Sequence, residues 1–389
     1  MKRRNLLQLG LGAALPMKLW AATPDSPRLL IVFLRGAYDA ANMLVPTSSS
    51  FYYEARPNIA IAKKDALPLD AHWGLAPAVV DSIHPLWLKN QAAFVPFAGT
   101  NDTSRSHFET QDHIELGQAD EGSRDFRSGF MNRLAGVLGA GSRLEAMAFT
   151  DQVPLILRGD LPVANQALRD LGKPGINAAQ AQVIVGMYAN TRLAGTVSGG
   201  FEVRDEVSRE MAGEMEAASR GAIAAKGFAL EARRIARLMR ERVTLGFIDV
   251  GGWDTHVGEG GATGQLATKL GELGKGLALF ADEMGPQWNN TVVVVASEFG
   301  RTFRENGNRG TDHGHGSAWW VLGGGVKGGR IAGEQVEVKA ASLFQNRDWP
   351  VINEYRAMLG GLFKRMYGLN DAQLATVFPG AMARDVGLV

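Results

Sequence analysis

The stretch Asp249-Val-Gly-Gly-Trp-Asp-Thr-His256 places two carboxylates and an imidazole at the end of the apolar run RVTLGFIDV. Four other short stretches carry the same kinds of group. They are Asp39 in RGAYDAANMLVP, the turn NDTSRSHF over 101–108 with Thr103, Ser104, Ser106 and His107, Glu298 in SEFGRT, and TDHGHG over 311–316 with His313 and His315. Carboxylates and imidazoles gathered from several parts of a chain are what a divalent cation requires. Cysteine is absent, which excludes disulfides, thiolate-held zinc and thiol nucleophiles. Imidazoles with carboxylates suit zinc or manganese, whereas carboxylates with water suit magnesium or calcium. A cation held this way lowers the pKa of water or holds an alkoxide from Ser or Thr, and it neutralises charge building on a phosphoryl or sulfuryl oxygen. Arg35, Arg105 and Arg301 lie in the same loops and are candidates to clamp such an anion, or else solvate the surface.

Each residue alone has an ordinary explanation. An Asp just after a strand commonly caps the next helix, His107 can pack beside Phe108, and the glycines around His313 and His315 suit either close backbone approach or a flexible turn. Glu298 is more demanding, because a carboxylate so soon after four valines must reach solvent at a sheet edge or meet a partner. Position unites the set. The apolar runs 28–34, 92–99, 243–249 and 291–297 read as buried strands, and Asp39, the 103–107 turn, Asp254 with His256, and Glu298 follow them in turn. In an open α/β sheet that edge is where ligands bind.

The remaining elements frame these strands. An amphipathic helix over 264–284 between two strands makes a βαβ unit, and TVVVVAS is a strand covered on both faces. Residues 208–243 are helical in composition, with Phe228, Leu230, Ile235 and Leu238 forming an apolar face. A covering helix is expected in the C-terminal WPVINEYRAMLGGLFKRMYG, starting near Pro350. Residues 120–205 mix short apolar pieces with Gly, Pro and Asn, and are expected to be an insertion or lid. Basic and acidic residues number 41 and 40, giving a net charge of +1 without long like-charge blocks, so neither a nucleic-acid footprint nor a polybasic membrane surface is present. At the N-terminus Lys2-Arg3-Arg4, a short Leu, Gly and Ala stretch, and small residues at Ala21 and Ala22 form a twin-arginine signal layout over 1–22. Lys18 interrupts an apolar stretch already shorter than the ~20 residues a membrane-crossing helix needs. Export through the twin-arginine translocation machinery to the periplasm or beyond is expected, without a stable transmembrane anchor. The alternative is a basic start to an ordinary first helix.

The motifs FLRGAYDAANMLVP, SRSHFETQD, GGWDTH, SEFGRT and TDHGHG followed by LGGGVKGG occur in that order. Together they resemble a group of exported proteins called domain of unknown function fifteen-oh-one, within the alkaline phosphatase and sulfatase superfamily, from about residue 28 to VFPG at 377–380. The resemblance implies one α/β domain over 28–389, a three-layer sandwich whose mainly parallel sheet has helices on both faces. It further implies one or two metals, zinc first, and a small anionic phosphate or sulfate ester as substrate. By position, Asp39, Asp254, His256, Glu298 and His313 look like the metal ligands, with His315 in reserve. Thr103, Ser104 and His107 look like the catalytic group, and Arg301 and Arg105 contact the substrate. Where the phosphatases have Asp followed by His after the long strand, this chain has Glu298 and then Phe299, so one imidazole must come from elsewhere or is missing. The chain is therefore expected to be an exported ester hydrolase, or else a secreted binding or assembly protein that kept the fold.

Overall fold

Residues 28–35 read RLLIVFLR, and every side chain from Arg28 to Leu34 is buried, the pattern of a strand covered on both faces. This strand, β1 (Arg28–Arg35), lies between β8 (Leu245–Gly251) and β9 (Thr291–Ser297) and is parallel to both. The computed structural model describes residues 26–119, 124–139, 146–168, 178–202 and 227–389. Beyond β9 come β10 (Ser317–Leu322), β5 (Ala92–Gly99) and β11 (Arg330–Ile331), and β12 (Asn353–Glu354) also pairs with β5. Beyond β8 come β6 (Ala146–Ala148) and β7 (Ala164–Asn165). Of these strands β10 alone runs against its neighbours, so the sheet is mostly parallel. A small antiparallel sheet is formed by β2 (Leu44–Val45), β3 (Leu67–Pro68) and β4 (Gly74–Leu75).

Because strand side chains alternate, β1 feeds two cores. Leu30, Val32 and Leu34 pack with Val293 and Val295 under the helices Phe228–Glu241 and Gln265–Met284. Leu29, Ile31 and Phe33 pack with Val292 and Val294 under Phe130–Leu138, Tyr355–Tyr367 and Asp371–Val377. Helices thus cover both faces, and each such aliphatic side chain contributes roughly 1.5–3 kcal/mol by burial. Truncating a fully buried member such as Leu34 to Ala would cost about 2–5 kcal/mol.

Two boundaries differ from expectation. The C-terminal helix starts at Tyr355, not near Pro350, because Asn353 and Glu354 pair with β5 and the Glu354 side chain caps the helix through the Ala357 amide at 3.0 Å. Within 120–205, β6 and β7 extend the main sheet, so that part of the expected insertion is scaffold. The twin-arginine stretch 1–22 and residues 208–226 of the helical segment lie outside the described residues. No described helix is long and apolar enough to cross a membrane.

One topological detail matters for the site. Parallel strands β1, β5, β8 and β9 end at the same edge, and β10, running the other way, begins there. The segment 311–316 therefore arrives at that edge although it precedes a strand.

Candidate metal centre

His107 is the first residue of the helix His107–Leu116, whose N-terminus is capped by the Ser106 hydroxyl accepting from the Glu109 amide. Asp254 and His256 lie in the loop after β8, and His313 lies in the segment before β10. Glycine lets these loops touch. A Cβ on Gly310 would lie 2.4 Å from the His256 backbone, and one on Gly314 would lie 2.4 Å from the Arg301 backbone, separations no side chain tolerates. Backbone pairing of Arg301 with His313 follows from that approach.

The outer nitrogens of the three rings are fixed by acceptors. His107 Nδ1 faces Glu298 Oε1 at 2.8 Å, His313 Nδ1 faces the Arg105 carbonyl at 3.0 Å, and His256 Nδ1 faces Asp312 Oδ1 at 3.2 Å. A carbonyl or an ionised carboxylate only accepts, so each Nδ1 carries a hydrogen, and a ring in its neutral form presents a bare Nε2. The three Nε2 atoms converge on Asp254. His256 Nε2 is 2.9 Å and His313 Nε2 3.4 Å from Asp254 Oδ1, His107 Nε2 is 3.6 Å from Asp254 Oδ2, and His256 and His313 are 3.2 Å apart at Nε2. His107 Nε2 is buried without a hydrogen-bond partner. Donor atoms of His107, Asp254 and His313 all lie within 4.8 Å of one another. Lone pairs and a carboxylate facing inward repel unless a cation stands among them.

Desolvation pushes Asp254 upward, but the Arg301 hydrogen bond and the charges of Arg301 and the neighbouring imidazoles outweigh it and hold the carboxyl below its ordinary range. The hydrogen bond to Glu298 raises the pKa of His107 despite desolvation. Burial, followed by the charge of His107, lowers His313.

Of the expected ligands, Asp254, His256 and His313 come together, and His107, expected to be catalytic, joins them. Glu298 does not point a free oxygen at the cluster. It is fully buried, and its Oε1 accepts from His107, from Gln111 Nε2 at 3.0 Å and from the Gly36 amide at 2.8 Å, which makes it the orienting partner of His107. Asp39 is also diverted. It is buried against both terminal nitrogens of Arg56, seventeen residues on, and caps the short turn at Ala40–Asn42, so a cation supplied by the protein already neutralises it. His315 is buried against Phe344.

The hydroxyls of the 101–108 turn serve the turn itself. Ser104 donates to Asp102 at 2.8 Å, Ser106 caps the helix, and Thr103 is exposed with no hydrogen bond among the described residues. Arg301 has a fully buried side chain that donates to Asp254 and to the hydroxyl and carbonyl of Thr311. It anchors the Asp254 carboxylate from behind and does not reach outward. Arg105 is held by Asp348 and Gln345, and Arg35 by Asp249 and Glu115.

Sequence reasoning missed Gln111, Asp312, Arg56 and Glu259. Gln111 stands four residues after His107, a spacing that places both on one helix face, and Asp312 adjoins His313; those were the available signals. Glu259 Oε2 accepts from the hydroxyls of Thr255 at 2.8 Å and Thr311 at 2.7 Å. It thereby straps the loop of Asp254 and His256 to the segment of His313.

Compared with known proteins, residues 26–378 match the family described as Protein of unknown function (DUF1501). No curated protein matches the chain.

Proposed function

The chain belongs to that family, whose function is unknown, and from its own residues we propose that it is an exported, metal-dependent hydrolase of phosphate or sulfate esters on the alkaline phosphatase and sulfatase plan. One observation carries this reading: three imidazoles, each with Nδ1 against an acceptor, turn their Nε2 atoms toward one carboxylate. Ligands at ~2.0–2.1 Å around tetrahedral zinc stand ~3.3 Å from one another, and Asp254 stands 3.4 Å from His313 and 3.6 Å from His107. The donor set therefore fits zinc, with manganese, magnesium and calcium progressively less suited to three imidazoles. Bound there, such a cation would supply Lewis acidity toward a phosphoryl or sulfuryl oxygen and acidify a water.

The chain's own groups then divide the work. His107, Asp254 and His313 are the inner ligands. Glu298 fixes His107 and raises its basicity, and Arg301 fixes Asp254. Arg301 also places a buried positive charge beside the site, which favours an anionic ester. His256, with 40% of its side chain exposed, is the base that takes a proton from attacking water. Attack by water suits the geometry better than attack by Thr103 or Ser104, since the hydroxyl of Ser104 is engaged by Asp102 and that of Thr103 faces solvent. Export rests on the twin-arginine layout of residues 1–22; a mature N-terminus that retained Arg3 and Arg4 would refute it.

A second reading, a secreted binding or assembly protein with a structural cation, is favoured by one feature. His256 Nε2 is as close to Asp254 as the inner ligands are, and four protein donors would close a tetrahedral shell, whereas catalytic zinc keeps a position open. His256→Ala separates the two. In the hydrolase it keeps zinc binding within about tenfold and loses ~10²–10⁴ in turnover, the usual worth of a general base. In the binding protein it weakens zinc binding far more, and wild type turns over nothing. The assay is an aryl phosphate, phosphodiester and sulfate panel, with zinc content measured alongside. A zinc-loaded wild type inert toward the whole panel would overturn the hydrolase.

A further inference from the structure

We infer that the cleft over the ends of β1, β6 and β8 is the leaving-group subsite of this centre and takes a hydroxyl-rich, uncharged group such as a sugar ring, a proposal that rests on the hydrolase reading and deepens it. The cleft has a volume of about 560 Å³, within the ~300–1,000 Å³ of small-molecule clefts. Arg35 ends β1, Asp249 lies near the end of β8, Thr150 to Leu155 follow β6, and Asp112 and Glu115 come from the helix that His107 begins.

The cleft and the metal centre share their framework. A Cβ on Gly36, the residue after Arg35, would lie 2.9 Å from the Asp254 amide nitrogen, so the chain leaving the cleft wall runs directly against a ligand loop. The helix supplies a second link. His107, Gln111 and Glu115 recur every four residues and line one face. Glu115 pairs with Arg35 at 2.9 Å, Arg35 donates to Gln111 Oε1 at 2.7 Å, and Gln111 donates to the Glu298 oxygen that orients His107. A single side chain, Gln111, thus separates the cleft wall from the partner of a metal ligand.

The lining selects the occupant. Asp112, Thr150, Asp151, Gln152, Arg158 and Asp249 offer oxygen and nitrogen atoms, and an alkyl or aryl group there would displace water without replacing its hydrogen bonds. A second phosphate or sulfate is equally unsuited. The cleft holds four carboxylates against two arginines, and Arg35 is locked between Asp249 and Glu115 at 2.7 and 2.9 Å. Hydroxyls answer both constraints. Phe126, 49% exposed at the cleft, offers an aromatic face to the apolar side of a ring. The subsite requires the ester group of such a ligand to extend past Gln111 to the imidazoles while the ring stays in the cleft.

The test uses the zinc-loaded chain and calorimetric titration with inorganic phosphate, p-nitrophenyl phosphate, hexose 6-phosphate and hexose 6-sulfate. The sugar phosphate should bind about tenfold or more tighter than inorganic phosphate, as one or two net hydrogen bonds to the ring imply. The double variant Phe126→Ala/Gln152→Ala should remove that advantage while zinc content and inorganic phosphate affinity stay as in wild type. Sugar esters that bind no tighter than the other two phosphates, or a double variant that binds them as wild type does, would overturn the subsite and leave the hydrolase standing. If the zinc-loaded chain binds none of the phosphates, the hydrolase itself falls and the subsite with it.

Discussion

Glu298 and Glu259 are fully buried glutamates behind the same loops, and the fold shifts their pKa values in opposite directions. Burial pushes both carboxyls up. At Glu298 the hydrogen bonds from His107 and Gln111, with the Gly36 amide, outweigh burial and hold the group below its ordinary range. At Glu259 the charge of Asp39 and a shared hydrogen bond add to burial, and the opposing influence of Arg56 and the Thr311 hydroxyl leaves the group well above that range. A buried acid therefore becomes the ionised partner of a metal-facing histidine where N–H donors meet it. Where another carboxylate meets it, it holds its proton more tightly and braces the loops through the Thr255 and Thr311 hydroxyls. One region tunes the centre, and the other braces it.

The sharpest way to break this contrast is to remove the cation from the bracing region. Arg56→Met leaves Asp39 buried without its partner, and breaking a buried pair in this way costs about 3–5 kcal/mol. Urea unfolding should register a loss of that size, while the fraction that remains folded binds zinc within a few-fold of wild type. A variant as stable as wild type would show that Asp39 is not held by Arg56.

The tuning region should respond in the other currency. Glu298→Gln removes the charge behind His107 and should weaken zinc binding by about 10–100-fold, the usual effect of losing a partner behind a ligating histidine. Its unfolding midpoint should move much less than that of Arg56→Met. Zinc affinity equal to wild type would mean that His107 does not ligate through Nε2.

Much of the framework is legible in the amino-acid order. The continuous runs LLIVFL and TVVVVA can only be strands covered on both faces, and Glu298 follows the second as Asp254 and His256 follow the run LGFIDV. Partner choice is not legible. Asp39 and Glu298 look alike as acids placed after buried strands, yet one meets an arginine seventeen residues on and the other an imidazole 191 residues away. His313 was placed by motif alone, because its arrival at the edge depends on β10 running antiparallel, which a short apolar run does not reveal. The role of His107 was hidden for a similar reason: which ring nitrogen faces inward depends on Glu298 lying on its Nδ1 side.

The last effect expected is a change in pH dependence. A carboxyl with a raised folded pKa contributes stability that is fully present below its unfolded value of ~4.3 and is lost as pH rises through the folded value. Glu259 is such a group. Glu298, with its lowered folded pKa, has the opposite sign: its contribution is present above the ordinary value and is lost as pH falls through the depressed one. Glutamine imitates the protonated form of Glu259, keeping an oxygen between the Thr255 and Thr311 hydroxyls and offering Asp39 an N–H. Glu259→Gln should therefore match wild type in urea midpoint below the ordinary carboxylate pKa and gain on it as pH rises, by about 1.4 kcal/mol for each unit that separates the folded from the unfolded pKa. Glu298→Gln should lose ground earlier, as pH rises from the depressed value to the ordinary carboxylate pKa, because there wild type acquires an ionised carboxylate that the amide cannot supply, and the deficit should stay constant above it. Parallel midpoint curves for wild type and Glu259→Gln from acid to neutral pH would show that Glu259 ionises normally, and the opposition between the two glutamates would fail with it.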